Sequence, residues 1–331
     1  MPSITALLTG PVHAPHAAFP ELARLRSAAV AGNWSSVSTV FAGLDGDDAA
    51  VASQVVAESP GADTMLEAAL AASGEGPDKV LARSLLAHHH IATGWRIRTH
   101  ARARYVSREQ FTRFHGHLRQ AELLLADAVS VDPGHTLGWY LQLMTARGLQ
   151  LGQGEARRRY DSLAAVDPRH YRAQSQFLQQ LCPKWGGNWE AAHAFARKCG
   201  RTAAPGGLGH LITVEAHLEH WMWAAEKADL TYWGRPGVRE TLAKAAAASV
   251  WHPDFRPGFS WIKAHTALAA AFALSGRHAA AAPHFAALGG FSDTYPWSSV
   301  SGLYWLLWRR HRIAALIAAP FAKPVSAPAT A

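Results

Sequence analysis

The residues best able to do chemistry gather late in the chain. Over residues 208–227, His210, His217 and His220 recur at helical spacing and share one face with Thr213, while Leu211, Val214, Leu218 and Met222 form the neighbouring apolar stripe. Histidine is the side chain whose ordinary pKa lies nearest neutrality, so His217 and His220 are candidate general acid/base residues. The three imidazoles of His210, His217 and His220 could also supply part of a zinc or iron site, with further ligands from another helix, for which His193 and His265 are the candidates. Glu215 and Glu219 fall off this stripe, and no HExxH or paired ExxH pattern is present. Satisfied or solvent-facing histidines are the commoner state, so the metal reading is disfavoured. The adjacent His88, His89 and His90 span nearly a helical turn and cannot aim at one point.

Tryptophan is the second unusual feature. Ten of the thirteen lie from Trp185 onward. Most should fill core, because an indole buries a large area wherever its N–H finds a partner. Two stretches combine tryptophan with ionisable groups: HLEHWMW, with His217, His220, Trp221 and Trp223, and TYWGR, with Tyr232, Trp233 and Arg235. Together with Trp185 and Trp189 these are the candidate binding residues, able to wall a groove and to meet a carboxylate through Arg235.

Composition sets the outer bounds. With 331 residues, 49% hydrophobic and 17% charged, the chain is too apolar for intrinsic disorder and long enough to bury a substantial core. The +8 formal charge, from 32 Lys and Arg against 24 Asp and Glu, admits an acidic protein or a phosphorylated small molecule as partner. Basic residues run together at Arg96, Arg98, His100, Arg102, Arg104 and Arg108, at Arg157 to Arg159, and at Arg309, Arg310 and Arg312. No nucleic-acid module accompanies them, so nucleic acid is a disfavoured partner.

The most apolar stretch, 300–319, carries Arg309, Arg310, His311 and Arg312 at its centre, which argues against a membrane span. Two cysteines, Cys182 and Cys199, are too few to staple the chain, and the start MPSITALLTGPVHAPHAAFP does not read as a secretory leader. A cytoplasmic location and structural thiols are therefore expected. There is no GxSxG elbow, P-loop or dinucleotide fingerprint, and no cofactor is expected. The glycines of PGGLG (Gly206, Gly207 and Gly209) precede a helix without following a strand, which reads as a helix connection.

The elements that must position these residues read as all-α. Leu81, Leu85, His88, Ala92, Trp95 and Thr99 recur at helical spacing, as do Leu118, Ala121, Leu125 and Ala128. Stops fall at Asp132-Pro133, Asp167-Pro168 and His252-Pro253, where proline pushes the preceding residue out of helical geometry. A repeat of about 35 residues is also present. Counting back from Pro133 gives Ala121, Leu125 and Ala128; counting back from Pro168 gives Ala156, Tyr160 and Leu163 at the same offsets. Partial copies open on glycine turns: GNW at Gly32 then Val37 and Phe41, GNW at Gly187 then Ala192, and GR at Gly276 then Ala281 and Phe285.

The positions 121, 156 and 192 are in register. Segments 45–105 and 200–260 hold either diverged hairpins or an inserted subdomain. The organisation expected is a tail over 1–17, a single helical-repeat domain over 18–319 and a disordered tail over 320–331.

In this pattern the chain resembles tetratricopeptide-like α-solenoid proteins. The stretch CPKWGGNWEAAHAFA is similar to the K-W-G-G-S/N element of an uncharacterised bacterial helical-repeat family, whose members also carry a later "SGR…A…HF..LG" helix and a Pro-Trp pair, here 275–290 and Pro296-Trp297. The resemblance implies a single-chain superhelix and brings no reaction with it. The function expected is capture of a protein or peptide in a concave groove lined by aromatic residues and arginines such as Arg157 and Arg235. The alternative is an all-α enzyme acting on a hydrophobic small molecule in a Trp-walled pocket, with His217 or His220 as acid/base.

Overall fold

The computed structural model describes residues 10–99, 105–229, 231–319 and 322. Among these the chain forms sixteen α-helices and no strand, apart from one isolated parallel bridge between Val12 and Phe291. Residues 1–9 of the expected N-terminal tail, all of the expected C-terminal tail except 322, and the basic-run residues His100, Arg102 and Arg104 lie outside the described residues.

The chain forms two compact units, Pro15–Gly187 and Met1–Ala14 with Asn188–Ala331, and the division lies inside the stretch that the repeat pattern treats as one domain. The first unit holds α1 (Pro20–Val30), α2 (Trp34–Phe41), α3 (Gly46–Ala57), α4 (Ala62–Ala72), α5 (Pro77–Arg98), α6 (Arg108–Val131), α7 (Thr136–Gly148), α8 (Gly152–Val166) and α9 (Tyr171–Leu181). The second holds α10 (Trp189–Thr202), α11 (Leu211–Glu226), α12 (Val238–Ala248), α13 (Trp261–Leu274), α14 (His278–Leu288), α15 (Trp297–Val300) and α16 (Tyr304–Ala318).

The sequence repeat has a structural counterpart. Asp132 and Asp167 end α6 and α8 with nearly the same backbone angles, φ −131° and ψ 92° against φ −132° and ψ 87°. Each N–H reaches back four residues, to the Ala128 and Leu163 carbonyls, and each carboxylate accepts the N–H two residues on, from Gly134 and Arg169. The offset positions Ala121, Leu125, Ala128, Ala156, Tyr160 and Leu163 are all buried, as are Val37, Ala192 and Ala281. Small residues there let neighbouring helices approach closely.

The hairpin turns share one mechanism. Gly32, Gln150 and Gly276 take positive φ of 69°, 56° and 76°. The following N–H groups, from Asn33, Leu151 and Arg277, then bond the Ala28, Ala146 and Phe272 carbonyls, closing the preceding helix. In both GNW turns the asparagine side chain caps the next helix, Asn33 on the Ser36 N–H and Asn188 on the Ala191 N–H.

Elsewhere the pattern departs from the repeat. Segment 45–105 contains α3, α4 and α5, and α5 and α6 run to 22 and 24 residues, longer than their neighbours. On α5 the expected stripe is only half-buried at Leu81, Ala92 and Trp95, while Ser84, Ala87, Ile91 and Gly94 are buried. The reason is that α5 packs on α3, α4, α6 and α7, so more than one of its faces is covered. Segment 200–260 contains α11 and α12 with single turns at Leu208–His210 and Tyr232–Gly234. Helix α12 stops at Ala248, ahead of the expected stop at His252-Pro253, where the Ser249 hydroxyl donates to the Ala245 carbonyl.

The K-W-G-G element closes the first unit. Gly186 has φ 85°, and a Cβ at Gly187 would stand 2.1 Å from the Leu181 carbonyl oxygen. Gln153 ties the element down by donating to the carbonyls of Gln180 at 2.7 Å and Trp185 at 2.9 Å. Two glycines are therefore required here for two different reasons, conformation and space.

Candidate functional site

Helix α10 packs against α11, and the turn Tyr232–Gly234 packs on the same α11. Asn188 caps α10 so that Trp189 is its first residue and His193 lies one turn on. His217 and His220 face them from α11, and Tyr232 arrives from the turn.

The side chains interlock. The Trp189 and His220 rings stack with centroids 4.3 Å apart and planes 4° from parallel. His193 Nε2 lies 2.8 Å from His220 Nδ1, and His217 Nδ1 lies 2.8 Å from the Tyr232 hydroxyl. His193 and His217 have centroids 5.0 Å apart, and His220 and Tyr232 4.7 Å. Trp223 meets Trp189 edge-on at 5.8 Å, and the Lys227 ammonium sits 3.8 Å over the Trp223 ring. Arg235 lies 4.8 Å over Tyr232 and donates to Asp229 at 2.6 Å. Trp221 leans on the buried Trp233 at 5.7 Å.

These imidazoles are held neutral. Burial, then His193 and His220, push His217 down to about 3. Burial, His193 and Arg235 push His220 down to about 4 against the opposing pull of Asp229. Burial and Arg197 lower His193, and burial pushes the Tyr232 phenol up. At neutral pH the cluster therefore offers uncharged donors and acceptors between aromatic faces, with Lys227 and Arg235 as its cations. The Trp189 and Trp233 indole N–H groups are buried without a hydrogen-bond partner among the described residues.

The structure brings together Trp189, His217, His220, Trp223, Tyr232 and Arg235, with Trp221 and Trp233 adjoining. Trp185 belongs to the first unit, where the Arg147 guanidinium lies 5.7 Å over its ring. Arg157 is also in the first unit, paired with Asp161 and over Phe177. His210 stands apart, its Nε2 3.2 Å from the Ala204 carbonyl. Of the two histidines offered as further metal ligands, His193 contacts His220, whereas His265 is buried against His284 on α14. Among the described residues no group of three or more His, Cys, Asp or Glu side chains is arranged to hold a metal ion.

Sequence reasoning missed Lys227 and Asp229 at this site, and it missed what Glu215 and Glu219 do. Both glutamates are buried on another face of α11, Glu215 accepting from Lys263 at 2.5 Å and Glu219 accepting from the Tyr295 hydroxyl at 2.9 Å. An i,i+4 pair of acids on an otherwise apolar face was the available signal.

Cys182 and Cys199 are both buried and are not joined to each other as a disulfide, and the Cys182 thiol donates to the Leu178 carbonyl. The PGGLG glycines do form a helix connection, in which the Gly206 N–H donates to the Ala248 carbonyl. Among the described residues no helix is long and apolar enough to cross a membrane. Compared with family models and with curated proteins, the chain matches none.

Proposed function

We propose that this chain is a tetratricopeptide-like helical-repeat scaffold that captures a protein or peptide partner on the cluster formed by Trp189, His193, His217, His220, Trp223 and Tyr232. The observation that carries the reading is the Trp189–His220 stack bordered by Lys227 and Arg235, an aromatic platform with cations beside it. Such a surface suits an apolar or aromatic side chain followed by a carboxylate. The repeated Asp-Pro turns and Schellman-type hairpins support the repeat architecture.

The second reading, an all-α enzyme on a hydrophobic small molecule, draws on the contact between His217 and Tyr232. It ranks lower on the same geometry. An imidazole held down to about 3 is a weak base near neutrality, whereas an effective proton shuttle titrates close to its working pH.

Selection of a displayed random-peptide library on the full chain tests the proposal. The expected result is enrichment of peptides pairing an aromatic residue with Asp or Glu, and loss of that enrichment in Trp223→Ala. No enrichment, or equal enrichment by the variant, contradicts it.

A further inference from the structure

Among the described residues, four contacts between imidazoles tie helices together. His90 and His117 join α5 to α6 at 3.2 Å between their Nδ1 atoms, and His193 and His220 join α10 to α11 at 2.8 Å. His265 and His284 join α13 to α14 at 3.2 Å, and His278 and His311 join α14 to α16 at 3.2 Å. A neutral imidazole carries one donor and one acceptor nitrogen, so each contact is a hydrogen bond only while at least one ring stays unprotonated. With both rings protonated, two cationic N–H groups face each other at contact distance.

The surroundings give little relief. His90 and His117 are faced by His89 and by the cation Arg113. His193 and His220 are faced by Arg197, His217 and Arg235, with Asp229 as the opposing carboxylate, itself engaged by Arg235. Arg310 acts on His311. His265 and His284 are sealed among aromatic rings: Trp251 and Phe272 stack on His284 at 5.2 Å and 5.6 Å, and Trp261 and Phe255 border His265. Both Nε2 atoms of that pair are buried without a hydrogen-bond partner among the described residues.

We propose that the four imidazole pairs make the helix packing acid-labile, because the packed contacts exclude protons that the separated imidazoles take up, so that mildly acidic solution favours separation of the helices they join. The direction of the titrations agrees. Burial holds His265 down to about 3 and, with His278 and Arg310, His311 down to about 4; His90, His117, His193 and His284 are lowered too. The unfolded chain thus binds more protons than the fold between these values and an ordinary imidazole pKa of about 6.5. Stability is complete above that upper value and is lost progressively as pH falls below it. One pair, His193 and His220, lies in the candidate site. Release of a partner in acid follows only if the binding reading holds; the acid lability does not depend on it.

Thermal melting of the full chain by circular dichroism, from pH 7.5 to 4.5, tests this. The expected result is a melting temperature that falls continuously once pH drops below about 6.5, before carboxylates with pKa values near 4 begin to titrate. His284→Asn or, at the half-buried pair, His311→Asn should reduce the slope of melting temperature against pH, because each removes one proton-uptake site. A melting temperature unchanged between pH 7 and pH 5, or a wild-type slope retained in every variant that folds, overturns the proposal.

Discussion

Trp189 and His220 lie face to face, 4.3 Å between centroids and 4° from parallel, with His193 hydrogen-bonded at the edge of the same imidazole. The indole is thus both a wall of the candidate site and part of the contact between α10 and α11. Trp189→Ala should cost about 2 kcal/mol, below the range for a fully buried aromatic because the ring is half-exposed, and Trp189→Phe should cost about half of that. Urea denaturation checks both values.

In the proposed reading Arg235 is the cation that meets a ligand carboxylate, and in the structure it already holds Asp229 at 2.6 Å. The two acids would compete. Asp229→Ala should therefore strengthen binding of an acidic peptide several-fold, while Arg235→Ala weakens it. Fluorescence anisotropy with a labelled peptide reads both, and a weaker affinity in Asp229→Ala would remove Arg235 from the binding surface.

In the first unit Arg159 forks onto both oxygens of Glu122 at 2.6 Å and 2.9 Å, reaches Glu155 at 2.7 Å and donates to the Gln142 carbonyl. It is buried. Arg159→Leu should cost about 3 kcal/mol, since it strands a partly buried carboxylate, and Arg159→Lys should recover only part of that because an ammonium cannot fork. Chemical denaturation of the two variants gives the comparison.

Gly187 leaves no room for a side chain, its Cβ position falling 2.1 Å from a backbone oxygen, whereas at Gly186 the obstacle is the positive φ alone. Gly187→Ala should therefore destabilise the chain by more than about 2 kcal/mol, and Gly186→Ala by about 1 kcal/mol. Reversal of that order in thermal melts would show that the backbone at 187 relaxes freely.

The local parts of this structure were legible in the sequence. Ala121 and Ala156 repeat at fixed offsets from proline turns because each unit solves the same packing problem with residues close together in the chain. The asparagines of the two GNW turns cap helices for the same local reason. Spacing alone places His217 and His220 on one face, whereas His193 can be singled out from the sequence only as a candidate metal ligand from another helix.

What spacing could not supply was which distant groups meet. Trp185 and Trp189 stand four positions apart, yet Gly186 turns the chain at φ 85° and the boundary between the two units falls between them. Lys263 meets Glu215, and Tyr295 meets Glu219, across 48 and 76 positions, which only tertiary packing determines. The breadth of burial on α5 was hidden too, because a one-stripe pattern presumes one covered face.

The central claim is that the cluster around Trp189, His220 and Trp223 recognises a partner. Calorimetric titration at pH 7.5 of a library-selected peptide into the wild type and Trp223→Ala tests it most directly, with thermal melts of both as the folding control. The account predicts at least about tenfold weaker binding by the variant, equivalent to 1.4 kcal/mol, at a nearly unchanged melting temperature. Equal affinity in two folded proteins would contradict it.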